Sequence, residues 1–497
     1  MRMETTRLTT TQAIVRYLIA QRTELDGREA PLFPGVFAIF GHGNVTCLGD
    51  ALEAAGDELP TWRGQNEQTM AMAAVAFAKA KRRRQIMVAT SSIGPGAANM
   101  VTAAGIAHAN RLPVLLMSGD TFANRLNDPV LQQVEHFHDP TVTVNDAFKP
   151  VTRFWDRIVT PEQVLHSLPH AVATMLDPAD CGPAFLALPQ DVQAAAFDYP
   201  VSFFERRVHR VRRPGPDPAE IEAAAEALRA AERPLVVAGG GVHYSEAEGA
   251  LARFAEAHGV PVVETVAGKS TLTWDHPLFA GPIGVTGSSS ANALAADADM
   301  VLAVGTRLQD FTTGSWSVFR NDAMRLIALN TSRFDATKHL ATSVVADARR
   351  GLEDLDAALA DWRAPASWAE DATREYSSWN RQLDEAAAAS NAVPSYAAVI
   401  RTVNDLARPD DYIVSAAGGF PGELNKHWRA SSVASFDCEY GFSCMGYEVG
   451  GAWGAAMAKP GSTVVSFCGD GSYLMANSDV YSSVVSGHPF VLVLCDN

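Results

Sequence analysis

Residues 462–497, STVVSFCGDGSYLMANSDVYSSVVSGHPFVLVLCDN, decide the fold of this chain. Residues 463–467 form a short β-branched and aromatic run, residues 473–485 have helical length, and residues 490–494 form a second apolar run. The pattern predicts a strand–helix–strand unit with parallel strands and a right-handed crossover. Ser472 is the plausible N-cap of its helix.

Polar side chains follow both predicted strands. Asp470 lies between two glycines just after the first strand, and Asn497 follows the second. Open parallel sheets bind ligands at the carboxyl ends of their strands, and carboxylate and amide oxygens suit Mg²⁺ when phosphate oxygens are nearby. The helix start after Gly471 and Ser472 offers backbone N–H groups to a diphosphate. The sequence therefore predicts a magnesium and diphosphate site at this edge.

The segment resembles the signature of thiamine-diphosphate enzymes, which opens with Gly-Asp-Gly and closes with Asn-Asn after the next strand. Here the closing pair is Asp496-Asn497, which departs from the family at the first position and keeps the second, the family's metal ligand. An ordinary strand–helix–strand turn with a structural Asp is the alternative. The resemblance implies that thiamine diphosphate and Mg²⁺ are bound, with Asp470 and Asn497 on the metal and three residues at the cofactor: Gly469, Gly471 and Ser472.

A second motif lies in Asn66-Glu67-Gln68, which opens an apolar helix predicted over 68–81. On its own, Glu67 is an ordinary first-turn acid that complements the helix dipole. The motif resembles the pyrimidine-binding domain of the same family, and residues 94–99 (GPGAAN) match that domain's GPGxxN segment. The resemblance implies that Glu67 binds the cofactor's aminopyrimidine ring and is catalytic. A carboxylic acid in an apolar cleft can carry the proton that this chemistry moves.

Strand and helix patterns alternate along the whole chain, which predicts an α/β fold of three doubly wound parallel-sheet domains. The expected boundaries are 1–200 for a pyrimidine-binding domain, 201–365 for a middle domain of nucleotide-fold type, and 366–497 for a diphosphate-binding domain. The arginine- and proline-rich stretch 206–218 marks the first boundary.

The third domain is expected to be incomplete. In a complete family member, a backbone carbonyl that completes the metal shell and the remaining strands of the sheet follow the position of Asn497. A half-built sheet exposes an apolar edge. We therefore expect a polypeptide that ends at Asn497 to bind the cofactor poorly.

Further cofactor residues follow from the resemblance alone. Gly418, Gly419 and Phe420 would contact the diphosphate side. Met445 would be the apolar wedge that bends the cofactor, and plain core packing is the alternative for this residue. The triple glycine 239–241 of the middle domain is not a full dinucleotide fingerprint. That domain is expected to be structural, and no flavin is expected.

Several polar residues of the first domain could face a substrate. The strongest candidates are His42 and Asn44, which glycines flank at the end of a predicted strand. For each candidate, a surface or structural role is the alternative. The others are Gln132, Gln133, Glu135, His136, His138 and Lys149. Proton transfer is assigned to His42, His136 or His138. Lys269, in an AGKS stretch that lacks the first Walker glycine, is expected at the rim of the site.

Segments along the whole chain are similar to one branch of the family, which hydrolytically opens a cyclic trihydroxy 1,2-dione in inositol catabolism. That branch implies a small cyclic polyol dione as substrate and 5-deoxy-D-glucuronate as product. An acetolactate-synthase-like carboligase and a 2-oxoacid decarboxylase share the cofactor residues and stay open as alternatives, as does a non-catalytic homologue. The segments are IFGHGNV (39–45), SSIGPGAAN (91–99), DPVLQQVE (128–135), RFWDRI (153–158), ETVAGKST (264–271) and EYGFSCMGYEV (439–449).

Composition narrows the class of protein. A formal net charge of −16 argues against nucleic acid as a partner. The six cysteines show no CxxC or metal-binding spacing, and neither a signal pattern nor a membrane-length apolar run is found. These features predict a cytoplasmic enzyme without membrane or nucleic-acid partners. In the family the cofactor lies between two subunits, which implies a homodimer or homotetramer.

Overall fold

The computed structural model describes residues 4–25, 27–389 and 392–496. Its contacts divide the chain into two compact units. The first comprises Met1–Val211, Val414–Ala416 and Gly441–Asn497, and the second comprises Arg212–Ile413 and Ala417–Tyr440. The boundaries expected at 200 and 365 stay predictions.

A six-stranded sheet organises the first unit, and each pair of neighbouring strands in it is parallel. Its four central strands are buried along their whole length, as expected where helices cover a parallel sheet, and its two edge strands are partly exposed. The α/β architecture expected for this domain is confirmed. In spatial order the strands are Thr61–Arg63, Val36–Ala38, Val88–Ser91, Leu115–Asp120, Ala184–Pro189 and Phe154–Arg157.

Helices cover this sheet. The first is fixed by a capping box, in which Thr9 and Gln12 exchange side-chain-to-backbone hydrogen bonds. The α-helices of the unit are Thr10–Ala20, Asp50–Ala55, Glu67–Ala80, Pro95–Asn99, Val101–Asn110, Val164–Met175, Gln190–Ala194, Tyr447–Ala458, Asp470–Ala476 and Ser478–Val485.

Two small sheets were not expected from the sequence. Thr5–Thr9 pairs antiparallel with Ala196–Pro200. Gln21–Leu25 pairs antiparallel with Arg28–Pro31 and parallel with Arg207–His209. Their residues are polar or only partly buried, so they lack the apolar runs and clean alternation by which strands are recognised in sequence.

Helix Tyr447–Ala458 packs directly on the helix that begins at Glu67. A Cβ added at Gly450 would lie 2.6 Å from the carbonyl oxygen of Thr69, and one added at Gly454 would lie 2.0 Å from that of Ala73. Only glycine at these two positions lets the helix backbones approach so closely.

The strand–helix–strand unit at the C-terminal end is confirmed, with Val464–Gly469 parallel to Val491–Cys495. The predicted single helix is two helices, Asp470–Ala476 and Ser478–Val485. Asn477 between them is a turn residue that keeps helical angles (φ −58°, ψ −25°), so the backbone stays close to helical where the two helices meet.

The second unit contains another six-stranded parallel sheet. Its strands in spatial order are Phe279–Pro282, Val262–Glu264, Pro234–Ala238, Met300–Val304, Arg325–Asn330 and Thr342–Val345. The residues of strand Tyr412–Ser415 are divided between the two units, and Phe436–Cys438 is a further strand. The α-helices are Pro218–Arg229, Gly240–Tyr244, Glu248–His258, Ser289–Asp297, Asp310–Thr313, Arg333–Ala336, Ala348–Leu359, Ala366–Ala388, Tyr396–Leu406 and Gly419–His427.

The triple glycine of the second unit serves close packing. A Cβ at Gly239 or Gly241 would lie 2.6 Å from backbone atoms of Gly305, so glycine at these positions lets the two backbone segments approach closely. Lys269 is 3% exposed, and its Nζ lies 3.2 Å from Oε1 of the buried Glu264. The expectation that Lys269 reaches the rim of a site is therefore wrong, because the buried carboxylate holds its charge inside the unit. In the part of the chain that the structure describes, no helix is long and apolar enough to cross a membrane.

Candidate active site

Glu67 is the first residue of helix Glu67–Ala80, and hydrogen bonds on both sides fix its position. The Asn66 side chain caps the helix by accepting from the N–H groups of Gln68 (2.9 Å) and Thr69 (3.2 Å). The Glu67 side chain is half-buried. Its Oε2 accepts a hydrogen bond from Nδ2 of Asn99 at 2.9 Å. The two motifs that the sequence singled out in this domain therefore meet in space.

The loop with His42 and Asn44 packs on the turn that leads to Asn99. A Cβ at Gly43 would lie 2.3 Å from Cγ2 of Ile93, so glycine is required there. The ring of His42 is exposed, as a substrate contact would require.

Asn44 is 2% exposed and holds the loop together. Its Oδ1 accepts from the Gly41 N–H at 3.0 Å, and its Nδ2 donates to the Ser91 carbonyl at 2.9 Å. These contacts give Asn44 a positioning role, and its proposed substrate contact stays a prediction.

Gln132 packs against the same turn, and Gln133 is the next residue of the loop. A Cβ at Gly94 would lie 1.8 Å from the carbonyl oxygen of Gln132, so the long loop after strand Leu115–Asp120 touches the turn directly. Both side-chain amide atoms of Gln133 are buried without a hydrogen-bond partner. An amide with unused donor and acceptor capacity is suited to a ligand hydroxyl.

Arg157 ties the two ends of this loop together. Its Nε lies 2.7 Å from Oδ2 of Asp120, which is fully buried where the loop begins. At the other end its Nη2 donates to Oδ2 of Asp146 (2.7 Å) and to Oγ1 of Thr143 (2.9 Å). A guanidinium can hold several acceptors at once because its donors point in fixed directions.

Asp146 is stabilised as a carboxylate. Burial acts to raise its pKa, but hydrogen bonds from the Lys149 side chain, the Thr143 N–H and Arg157 lower the pKa to about 2. Lys149 lies 2.7 Å from Asp146 and stands over the ring of Trp155. The charge of Lys149 is therefore paired with Asp146 at the end of the loop. From the sequence, Lys149 was a candidate for contact with the substrate.

The Gly-Asp-Gly segment ends strand Val464–Gly469 and starts the next helix. Gly469 is the N-cap and Asp470 the first helical residue, half-buried. The prediction that Ser472 is the N-cap is wrong, because the helix begins two residues earlier and Ser472 is 2% exposed within it.

The surroundings of this segment fit a bound group. A Cβ at Gly469 would meet nothing within 4 Å, and one at Gly471 would meet only Cε of Met445, at 3.2 Å. Met445 is 39% exposed, so it stands beside the glycines as an open apolar contact and not in the core. Phosphate oxygens could therefore approach the backbone of these glycines closely.

The remaining cofactor candidates belong to the second unit. Gly418 has φ +103°, which favours glycine, and a Cβ at Gly418 or Gly419 would meet nothing within 4 Å. Phe420 is buried and stacks on Tyr396 with ring centroids 4.8 Å apart. The roles of these three residues at a diphosphate stay predictions.

The metal site is only partly described. Asn497 lies outside the described residues. Over 4–25, 27–389 and 392–496, no group of three or more His, Cys, Asp and Glu residues could hold a metal ion. A site that uses one carboxylate, one amide and phosphate oxygens does not require such a group.

Two residues that position this site were missed. In the sequence, Asn99 is only the last residue of the segment GPGAAN, and Arg157 only part of the segment RFWDRI. Neither residue type signals a partner in the sequence. Their contacts with Glu67 and with Asp120 form only when strand ends meet in the folded sheet.

Comparison with known proteins supports both motifs. The N-terminal TPP binding domain of thiamine pyrophosphate enzymes matches residues 35–140, the central domain matches 221–355, and the C-terminal TPP binding domain matches 416–497. Over 519 aligned residues the chain is 45% identical to the 3D-(3,5/4)-trihydroxycyclohexane-1,2-dione hydrolase of Geobacillus thermodenitrificans (strain NG80-2), covering 100% of the chain and 81% of that protein. Identity to the hydrolase of the same name from Clostridium tetani (strain Massachusetts / E88) is 42%, with the same coverage.

Proposed function

The chain belongs to the thiamine-diphosphate enzyme family, and from this premise we propose that it hydrolyses 3D-(3,5/4)-trihydroxycyclohexane-1,2-dione, opening the ring to 5-deoxy-D-glucuronate in inositol catabolism. The observation that carries the proposal is identity of 42–45% along the whole chain to hydrolases of that name. The reaction breaks one ring C–C bond and adds water, so that one carbon becomes a carboxylic acid and the other gains hydrogen.

Thiamine diphosphate supplies the nucleophilic carbon and the electron sink for breaking a C–C bond. The open space at Gly469 and Gly471 and the exposed Met445 support binding beside Asp470. We further propose that Asp470 and Asn497 would hold Mg²⁺ beside the diphosphate, since a hard divalent cation prefers such oxygen ligands.

Glu67 is proposed to hold and move the proton at the cofactor's pyrimidine ring. The hydrogen bond from Asn99 supports this role, because it fixes the direction of the carboxyl group before the cofactor arrives. The helix start at Asn66 fixes the backbone in the same way.

The substrate is proposed to contact His42, Asn44, Gln132 and Gln133, and Asn44 is also proposed to position its loop. The exposed ring of His42 supports proton transfer, and the unused amide atoms of Gln133 support binding of a substrate hydroxyl. We also propose a cytoplasmic homodimer or homotetramer, as the family arrangement implies.

A comparison of two substrates tests this function. The full-length protein with thiamine diphosphate and Mg²⁺ is given the dione or pyruvate, while acid and carbon dioxide are measured. The proposal predicts acid from the dione and little turnover of pyruvate. Turnover of pyruvate without that of the dione would move the protein to the carboligase or decarboxylase branch. Failure to turn over either compound would favour a non-catalytic homologue.

A further inference from the structure

Asp479 lies in helix Ser478–Val485, and its carboxyl group is fully buried. Its Oδ1 accepts a hydrogen bond from the backbone N–H of Gln65 at 2.7 Å and another from Oγ of Ser482 at 2.7 Å. This hydrogen bond is partly buried, and a hydrogen bond to a charged acceptor contributes about 1.5–3 kcal/mol. Asp479 provides that acceptor from a distant part of the chain.

The Gln65 N–H stands two residues before Glu67. Asn66 lies between them and caps the helix that Glu67 begins. The N–H of Asn66 and the hydroxyl of Thr69 also stabilise the Asp479 carboxylate, although burial has the larger effect and raises the pKa of Asp479 overall. The carboxyl group therefore faces the start of this helix, where an acceptor is favourable.

The same residue is connected to the cofactor segment along the chain. Asp479 follows the helix Asp470–Ala476 with only Asn477 and Ser478 between. Close packing of Gly450 and Gly454 on the Glu67 helix restrains the neighbouring backbone. One hydrogen bond thus ties the segment that carries Asp470 to the helix start that carries Glu67.

We propose that Asp479 is a positioning residue for Glu67, holding the start of its helix so that the acid meets the cofactor ring in the reactive orientation. The inference rests on the proposed catalytic role of Glu67. Its physical basis is that displacing a reacting group by roughly 1 Å can cost on the order of a hundredfold in rate. Without the acceptor, the hydrogen bond that holds the Gln65 N–H to helix Ser478–Val485 is lost, and the helix start that follows Gln65 is less firmly fixed.

The test measures how fast bound thiamine diphosphate exchanges its thiazolium C2 proton for deuterium, followed by NMR after acid quenching. This exchange depends on Glu67 and precedes any reaction with substrate. Cofactor affinity and thermal unfolding of the cofactor-free protein are measured alongside. The variants are Asp479→Ala, Asp479→Asn, Glu67→Gln and Ser483→Ala. Ser483 is a matched control, because it is buried on the same helix and its hydroxyl bonds only the Val480 carbonyl.

We expect Asp479→Ala to slow the exchange about tenfold or more, with cofactor affinity close to that of the parent. Asp479→Asn should stay within a fewfold of the parent, because the amide oxygen can still accept from Gln65. Ser483→Ala should match the parent. If Asp479→Ala does not fold, Asp479→Ser replaces it, since the shorter hydroxyl cannot reach the Gln65 N–H.

If the C2 proton exchanges as fast in Asp479→Ala as in the parent, but slowly in Glu67→Gln, the inference is overturned and the proposed function stands. Equal slowing by the Asn and Ala variants would also overturn it, because the charge and not the acceptor would then matter. If the parent and Glu67→Gln exchange equally slowly, the proposed role of Glu67 itself fails.

Discussion

Asn99 donates a hydrogen bond from Nδ2 to Oε2 of Glu67 at 2.9 Å. The contact joins the turn after strand Val88–Ser91 to the helix that follows strand Thr61–Arg63. It orients the carboxyl group that the proposed chemistry uses.

Asn99→Ala should lower kcat about tenfold with little change in KM for the dione. A hydrogen bond to a charged group contributes roughly 1.5 kcal/mol or more, and we take the lower end because Asn99 is exposed. Steady-state kinetics check this, with thermal unfolding to show that the fold is intact. Unchanged kcat would mean that Asn99 does not orient Glu67.

Gly454→Ala should destabilise the first unit, although alanine in a helix is ordinarily more stable than glycine by about 1 kcal/mol. The new Cβ would lie 2.0 Å from the Ala73 carbonyl oxygen, and such overpacking costs about 1–3 kcal/mol or more. Denaturant unfolding measures the change. The matched control is Gly249→Ala, in an exposed helical position where a Cβ meets only the flexible end of Arg253. This control should be neutral or stabilising, and equal loss in both variants would contradict the packing argument.

Arg157→Gln should loosen the loop over 121–142. The substitution leaves the fully buried Asp120 without its cation, which costs about 3–5 kcal/mol. We expect faster hydrogen–deuterium exchange across the loop and a higher KM for the dione. Arg153→Gln is the control, since Arg153 pairs at 3.3 Å with the exposed Asp180. An unchanged exchange rate in 121–142 would show that other contacts hold the loop.

The contacts of the Asp146 carboxylate with Arg157, Thr143 and Lys149 should weaken in acid. The folded-state pKa of Asp146, about 2, lies below the ordinary carboxyl value. The stabilisation is therefore fully present above about pH 4 and is lost as the pH falls toward 2, with a size on the order of 2 kcal/mol. The difference in unfolding free energy between the parent and Asp146→Asn should be largest near pH 6 and smaller at pH 3. A constant difference would contradict this linkage.

His42 and Asn44 should behave differently when replaced by alanine. Asn44→Ala leaves the buried Ser91 carbonyl and the partly buried Gly41 N–H without their Asn44 partner and should cost about 1–3 kcal/mol of stability. His42→Ala should leave thermal unfolding unchanged, because the ring is exposed, and should lower kcat. Loss of stability without loss of activity in His42→Ala would remove His42 from the site.

Short-range patterns predicted the large elements well. The strands predicted over 463–467 and 490–494 are found at Val464–Gly469 and Val491–Cys495, because apolar runs between breakers specify them locally. Helix Glu67–Ala80 begins one residue before the prediction, at the acid itself.

Contacts between residues far apart in the chain could not be predicted from the sequence. Asp479 carries no local signal, and its partner Gln65 is on another sheet's helix start. The small sheet that includes Gln21–Leu25 depends in the same way on Arg207–His209, nearly two hundred residues along the chain. Such pairings are set by tertiary packing, which overrides local propensity.

The most direct test of the hydrolytic reaction follows the dione in water labelled with oxygen-18. The parent and Glu67→Gln are supplied with thiamine diphosphate and Mg²⁺. The reaction is stopped after a short time, and the mass of the product is measured by mass spectrometry. The dione in labelled water without enzyme corrects for carbonyl exchange. We predict one acid that retains every substrate carbon and gains one molecule of labelled water, formed by the parent and not by Glu67→Gln. A product that has lost carbon, or that carries no label beyond that correction, would contradict hydrolytic ring opening.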